Sequence, residues 1–124
     1  MKEDLSKFDK DQFAKAQKLS KEGNILDMLE IMKGLVESNP RSAIFHAVLA
    51  NAYWETGDLE TAEKTFRKAI EITPDSEKAS LGLFHCLWEQ NRTDEAFAEM
   101  KRFMEIADSE DYRAIVNEIN ESSD

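Results

Sequence analysis

The side chains best suited to chemistry are few: His46, His85 and a single cysteine, Cys86. A thiolate activated by an imidazole is the strongest nucleophile these could make, and it needs the two groups to meet. Adjacent residues on a helix point about 100° apart, so His85 and Cys86 cannot form that pair with each other. One cysteine also excludes an intrachain disulfide and a thiolate metal cluster. A buried free cysteine behaves as a small hydrophobe, and Cys86 is expected in the core. Asp and Glu number 26, but none stands isolated in an apolar surround that would tune it for proton transfer. The acids scattered through 94–111 are taken as a solvated face rather than a cation site. No glycine-rich phosphate loop occurs. These residues point away from an enzyme and call for no metal and no cofactor.

The elements that carry them are helical. The chain has 124 residues, only four Gly and two Pro, and much Ala, Leu, Glu and Lys, the composition of a single all-α domain. The first twelve residues, MKEDLSKFDKDQ, hold no apolar run, so they are not a secretory signal. AIF (43–45) and AVLANAYW (47–54) are too short or too mixed to span a bilayer. A soluble, cytoplasmic setting is expected. The net charge is −10, and residues 75–124 hold thirteen acidic against five basic residues. Such a surface repels phosphate, which argues against nucleic acid and anionic membranes as partners and would attract a basic protein.

Sliding the chain along itself by 34 residues aligns 9–42, 43–76 and 77–110. Ala16, Ala50 and Phe84 share a column, as do Leu19, Tyr53 and Leu87. Gly23, Gly57 and Asn91 share another, and these residue types accept the left-handed backbone that closes a helix. Met28, Ala62 and Ala96 align, then Met32, Phe66 and Met100, then Leu35, Ala69 and Phe103. Each unit is therefore a helix, a tight turn and a second helix, stopped by Pro40 and Pro74 in the first two units; the third has Asp108 instead of proline. Small residues at 16, 50, 62, 69 and 96 let paired helices approach closely. Met28, Met32, Met100 and Met104 fall at helical spacing and are expected in the core. After the third unit Asp108 or Ser109 can cap a seventh helix over 109–121, with Tyr112, Ile115, Val116 and Ile119 on its apolar face.

The segment Leu49 to Pro74, LANAYWETGDLETAEKTFRKAIEITP, resembles the tetratricopeptide repeat (TPR). Leu49, Ala50, Tyr53, Gly57, Ala62, Phe66, Ala69 and Pro74 match its signature, and His46 stands where the repeat usually has tryptophan. The resemblance implies an α-α solenoid, a right-handed superhelix of three helix pairs plus a C-terminal capping helix. It implies that the first helix of each pair lines a concave groove. The inward positions would be Lys10, Phe13, Gln17 and Ser20, then Ile44, Ala47, Asn51 and Trp54, then Lys78, Leu81, His85 and Trp88. Trp54 and Trp88 lie one repeat apart and would project in the same direction, with Asn51 one turn before Trp54 to bond a ligand backbone. His46 would be a packing residue and His85 a polar group of the groove.

The implied function is to bind a peptide or helix of another protein. A subset of these repeats grips the acidic tail of heat-shock chaperones with basic and amide side chains. The matching positions here are Phe13, Gln17, Val48, Lys78 and Gly82, so that clamp is not expected. Two alternatives stay open. One is a small acidic immunity or chaperone protein that neutralises or escorts a basic effector. The other is self-association into a homodimer through exposed apolar surface.

Overall fold

The structure is a computed structural model and describes residues 5–122. It contains seven helices: α1 (Lys7–Lys21), α2 (Ile25–Ser38), α3 (Ala43–Glu55), α4 (Leu59–Ile72), α5 (Glu77–Glu89), α6 (Thr93–Ile106) and α7 (Glu110–Ser122). The pairs α1/α2, α3/α4 and α5/α6 are the three units read from the 34-residue spacing, and α7 follows as the cap. None of the helices is long and apolar enough to cross a membrane.

Local signals set the helix ends. Ser6, Ser42, Ser76 and Ser109 each accept the backbone N–H three residues on, which starts α1, α3, α5 and α7. The spacings of these serines are 36, 34 and 33 residues (6 to 42, 42 to 76, 76 to 109). So α1 begins two residues before the 34-residue register would place it, while the turns stay in register. Each turn inside a pair closes the same way. Gly23, Gly57 and Asn91 take φ of 79°, 88° and 61°, and the next residue's N–H reaches back five positions, as in Asn24 to Leu19, Asp58 to Tyr53 and Arg92 to Leu87.

Gly34 differs from these turn glycines. It lies inside α2, and a Cβ there would meet no neighbour within 4 Å. Gly34→Ala is therefore expected to stabilise the protein by about 0.5–1 kcal/mol through helix propensity alone, read as a rise in the thermal midpoint.

From α1 to α6 each helix packs against the next, and α3 also lies directly against α5. Among the described residues the second helices α2, α4 and α6 have no comparable contact with one another. The second and third pairs therefore approach more closely on the side of their first helices, the side that the resemblance assigns to the groove. One core cluster joins α1, α2 and α3 around Ala16, Met32, Leu35 and Phe45. A second joins α3 to α7 around Phe66, Leu83, Phe84, Leu87, Phe103 and Tyr112. Phe84, placed where the other units have alanine, is buried, its ring against Trp88, Phe97 and Tyr112.

The cap is seated on the last pair chiefly by Tyr112. Tyr112 is fully buried between Phe84 and Phe103, at ring separations of 5.6 and 5.8 Å. Its hydroxyl lies 2.7 Å from Ser80 Oγ, and Ser80 donates to Glu99 Oε2 at 2.6 Å. Arg102 donates to both Glu99 oxygens at 2.8 and 2.7 Å and to the Pro74 carbonyl at 2.9 Å. Every charge in this buried set has its partner, the condition for such a network to hold elements together.

Candidate functional site

A ridge of side chains runs along the open side of each first helix. Residues at i, i+7 and i+11 lie within about 20° of one line on an α-helix. On α1 that line holds Lys10, Gln17 and Lys21, on α3 Ile44, Asn51 and Glu55, and on α5 Lys78, His85 and Glu89. All nine are exposed except Asn51, which is half-buried. On α3 residues beside the line, such as Ala47, turn into the protein, because α3 is covered by α2, α4 and α5. Three ridges side by side make a grid. One row is Lys10, Ile44 and Lys78, the middle row is Gln17, Asn51 and His85, and the third is Lys21, Glu55 and Glu89.

The expected groove residues separate into two groups. Gln17, Ile44, Asn51, Lys78 and His85 stand on the ridges, and Ile44 leaves 56% of its surface exposed. Ala47 does not. It is 1% exposed, in a small cluster with Ala69 and Ala79. It faces the adjoining helices, so its expected place on the groove surface is corrected to one beneath it. Phe13 is half-buried with its ring 5.0 Å from that of Phe45. Leu81 and Trp54 are half-buried against the core cluster of α3 to α7. Lys21, Glu55 and Glu89, which complete the grid, were not among the expected residues, although the same i+7, i+11 spacing would have found them.

The two tryptophans sit at equivalent positions in different surroundings. Trp54 packs on the core, and its indole N–H is buried without a hydrogen-bond partner. Trp88 is 42% exposed, stacked on Phe84 at 5.8 Å and edge-on to Phe97 at 5.6 Å. Both packing partners of Trp88 are aromatic residues of its own repeat, so the pair does not form one free apolar strip.

The residues of possible catalytic type are engaged in packing. Cys86 is fully buried and its thiol donates to the Leu59 carbonyl at 3.2 Å. Burial and the charge of Glu63 push its ionisation up, which disfavours a thiolate at neutral pH. His46 is buried with Nε2 2.9 Å from the Pro40 carbonyl, as a packing residue should be. Met28 and Met32 are buried in the core as expected.

The charges are arranged unequally. Arg92 pairs with Glu63 and Glu95, Arg102 with Glu99, and Arg113 with Asp108. Burial raises the Glu63 carboxyl, but bonds from Arg92 and Arg67 outweigh it and hold the group below the usual carboxylate range. Tyr112 moves the other way: burial pushes its hydroxyl up, the Ser80 bond draws it partly back, and the Glu99 charge adds to the rise. Three of the five cations in 75–124 are thus used internally. On the ridges, Glu55 accepts only a 3.3 Å bond from Asn51 Nδ2, and Glu89 is in no ion pair among the described residues.

The network of Ser80, Glu99, Arg102 and Tyr112 is the feature that sequence reasoning missed. A signal was present. Gln12, His46 and Ser80 share the column where the repeat usually has tryptophan, and Glu99 shares one with Ile31 and Thr65. Polar residues at inward columns of one unit imply that they bond each other.

Residues 44–76 match the family described as Tetratricopeptide repeat. No curated protein matches the chain. Among solved structures, the first TPR of Spaghetti (RPAP3) bound to the HSP90 peptide SRMEEVD is similar at 16% identity, covering 92% of this chain and 94% of that one, with a TM-score of 0.80. The Yersinia enterocolitica type III secretion chaperone SycD, in complex with a peptide of the translocator YopD, is 14% identical, covers 94% and 90%, and gives 0.81. MamA from Desulfovibrio magneticus RS-1 is 21% identical with a TM-score of 0.73; the match covers 77% of this chain and about half (54%) of MamA.

Proposed function

We propose, for a chain whose fold is that of tetratricopeptide-repeat proteins, that it is a protein-interaction module whose concave wall holds a peptide or helix of a partner protein. The observation that carries this is the row Gln17, Asn51 and His85. Three side chains that both donate and accept hydrogen bonds stand on successive first helices, beside the exposed Ile44. That combination suits a polypeptide backbone flanked by an apolar anchor. Two solved proteins of similar fold hold a peptide, of HSP90 and of YopD. The acidic HSP90 tail is not the ligand proposed here, because Phe13, Val48 and Gly82 stand at three of the five clamp positions.

Asn51→Ala and Ile44→Asp test this. Both change the surface of the wall, so thermal midpoints should stay within a few degrees of the parent. Affinity for the native partner should fall about fivefold or more for each. Unchanged affinity in both variants would remove the groove from the function.

A second reading is favoured by charge. With Arg92, Arg102 and Arg113 taken up by internal pairs, most acids of 75–122 face solvent, which suits neutralising or escorting a basic protein. Association with such a partner should slow by about an order of magnitude or more between low and high salt. A salt-insensitive association rate contradicts it.

A further inference from the structure

Along α3 and α5 the proposed groove has acidic side chains at one edge, Glu55 and Glu89, and an apolar and a basic one at the other, Ile44 and Lys78. The ridge residues at the N-terminal ends of the first helices are Lys10, Ile44 and Lys78; those at the C-terminal ends are Lys21, Glu55 and Glu89. Helix C-termini carry partial negative charge of their own, so Glu55 and Glu89 reinforce a field that the backbones of α3 and α5 already set up. Lys10 and Lys78 are exposed and in no ion pair among the described residues, and the same holds for Glu89. Glu55 is committed only to its long bond with Asn51. On α4 the charges are paired: Glu60 with Lys64, Glu63 with Arg67 and Arg92, and Lys68 with Glu71. On α5, by contrast, Lys78 and Glu89 stand at opposite ends of the helix, in no ion pair among the described residues.

The middle row then fixes how a guest would lie. Asn51 and His85 are on α3 and α5, which lie directly against each other, so a backbone bonded to both runs across the helices. Helices pack about 8–10 Å apart, or roughly three residues of extended chain. In an extended chain, successive side chains point to opposite edges. On α3 and α5, one edge of such a guest meets Ile44 and Lys78, and the other meets Glu55 and Glu89.

Resting on the groove reading, we infer that the occupant is an extended segment with acidic and apolar side chains on one edge and basic side chains on the other, the basic edge lying against Glu55 and Glu89. Acidic and basic residues therefore sit at odd separations from each other in its sequence. The middle row recognises the backbone and is indifferent to sequence, and the outer rows select it.

The test is selection from a random twelve-residue peptide display library on the full chain. The expected result is enrichment of peptides carrying Lys or Arg at odd spacing from Asp or Glu. Their affinity should fall about tenfold in a Glu55→Gln/Glu89→Gln double variant, as expected for two exposed ion pairs. Selection on a Glu55→Lys/Glu89→Lys variant should exchange the basic preference for an acidic one. Both variants alter exposed side chains, and thermal melts establish that each is folded. Selected peptides that need Asn51 but show no charge pattern, or whose affinity ignores the Gln variant, overturn this inference and leave the groove reading standing. Peptides indifferent to both Asn51→Ala and Ile44→Asp, or a library yielding no binders, overturn both.

Discussion

Tyr112→Ala should destabilise the protein by about 3–5 kcal/mol, the cost of truncating a fully buried aromatic side chain. The ring fills the space between Phe84 and Phe103, and its loss leaves a cavity across three helices. Its hydroxyl is also one partner of Ser80, which in turn bonds Glu99. A domain of this size has about 5–15 kcal/mol in total, so the variant should melt many degrees lower. Tyr112→Phe separates the two contributions. It keeps the ring and removes one hydrogen bond, and should cost about 1 kcal/mol. Denaturant unfolding of the three proteins reads both numbers. If alanine and phenylalanine cost the same, the ring is not what seats the capping helix.

Gly82→Ala should also be destabilising, by about 1–3 kcal/mol net, although alanine is the better helix former. A Cβ at Gly82 would overlap the ring of Phe66, which is 2% exposed and has no room to move away. Overpacking of that kind costs more than the propensity gain of about 1 kcal/mol returns. The contrast with Gly34→Ala isolates the cause, since both glycines lie inside helices and only one faces a neighbour. Combining Gly82→Ala with Phe66→Leu should recover part of the loss, because the two residues are in contact and their effects do not add. Equal melting shifts for Gly34→Ala and Gly82→Ala would mean that α4 and α5 are not packed as described.

What could be read from the sequence was what repeats. Glycine or asparagine at a fixed spacing, alanine at helix crossings and proline after the second helix each act locally, and each recurs three times or nearly so. The helix pairs and the cap follow from them. What could not be read was where one unit departs from the others. The two extra residues at the start of α1 are visible only once Ser6 is recognised as its cap. Ala47 looks like its ridge neighbours on a helical wheel, but the close approach of α3 and α5 buries it. Trp54 and Trp88 occupy the same column, and their different exposure depends on what covers each one. Glu99 looks like one more surface acid until Ser80 and Tyr112 are brought to it from 19 residues before and 13 residues after in the chain (99 − 80 and 112 − 99). Periodicity reports the direction of a side chain along its own helix, whereas these outcomes depend on the neighbouring helix.

The central claim is that the wall formed by α1, α3 and α5 is the surface that holds a partner. Site-specific photo-cross-linking in the native cell tests it most directly, with a photoreactive phenylalanine derivative placed in turn at Asn51 and His85 on the wall and at Lys64 and Lys68 on α4. The account predicts one and the same partner bonded from Asn51 and from His85, and none from Lys64 or Lys68. A partner bonded from the α4 positions and absent from both wall positions would contradict it.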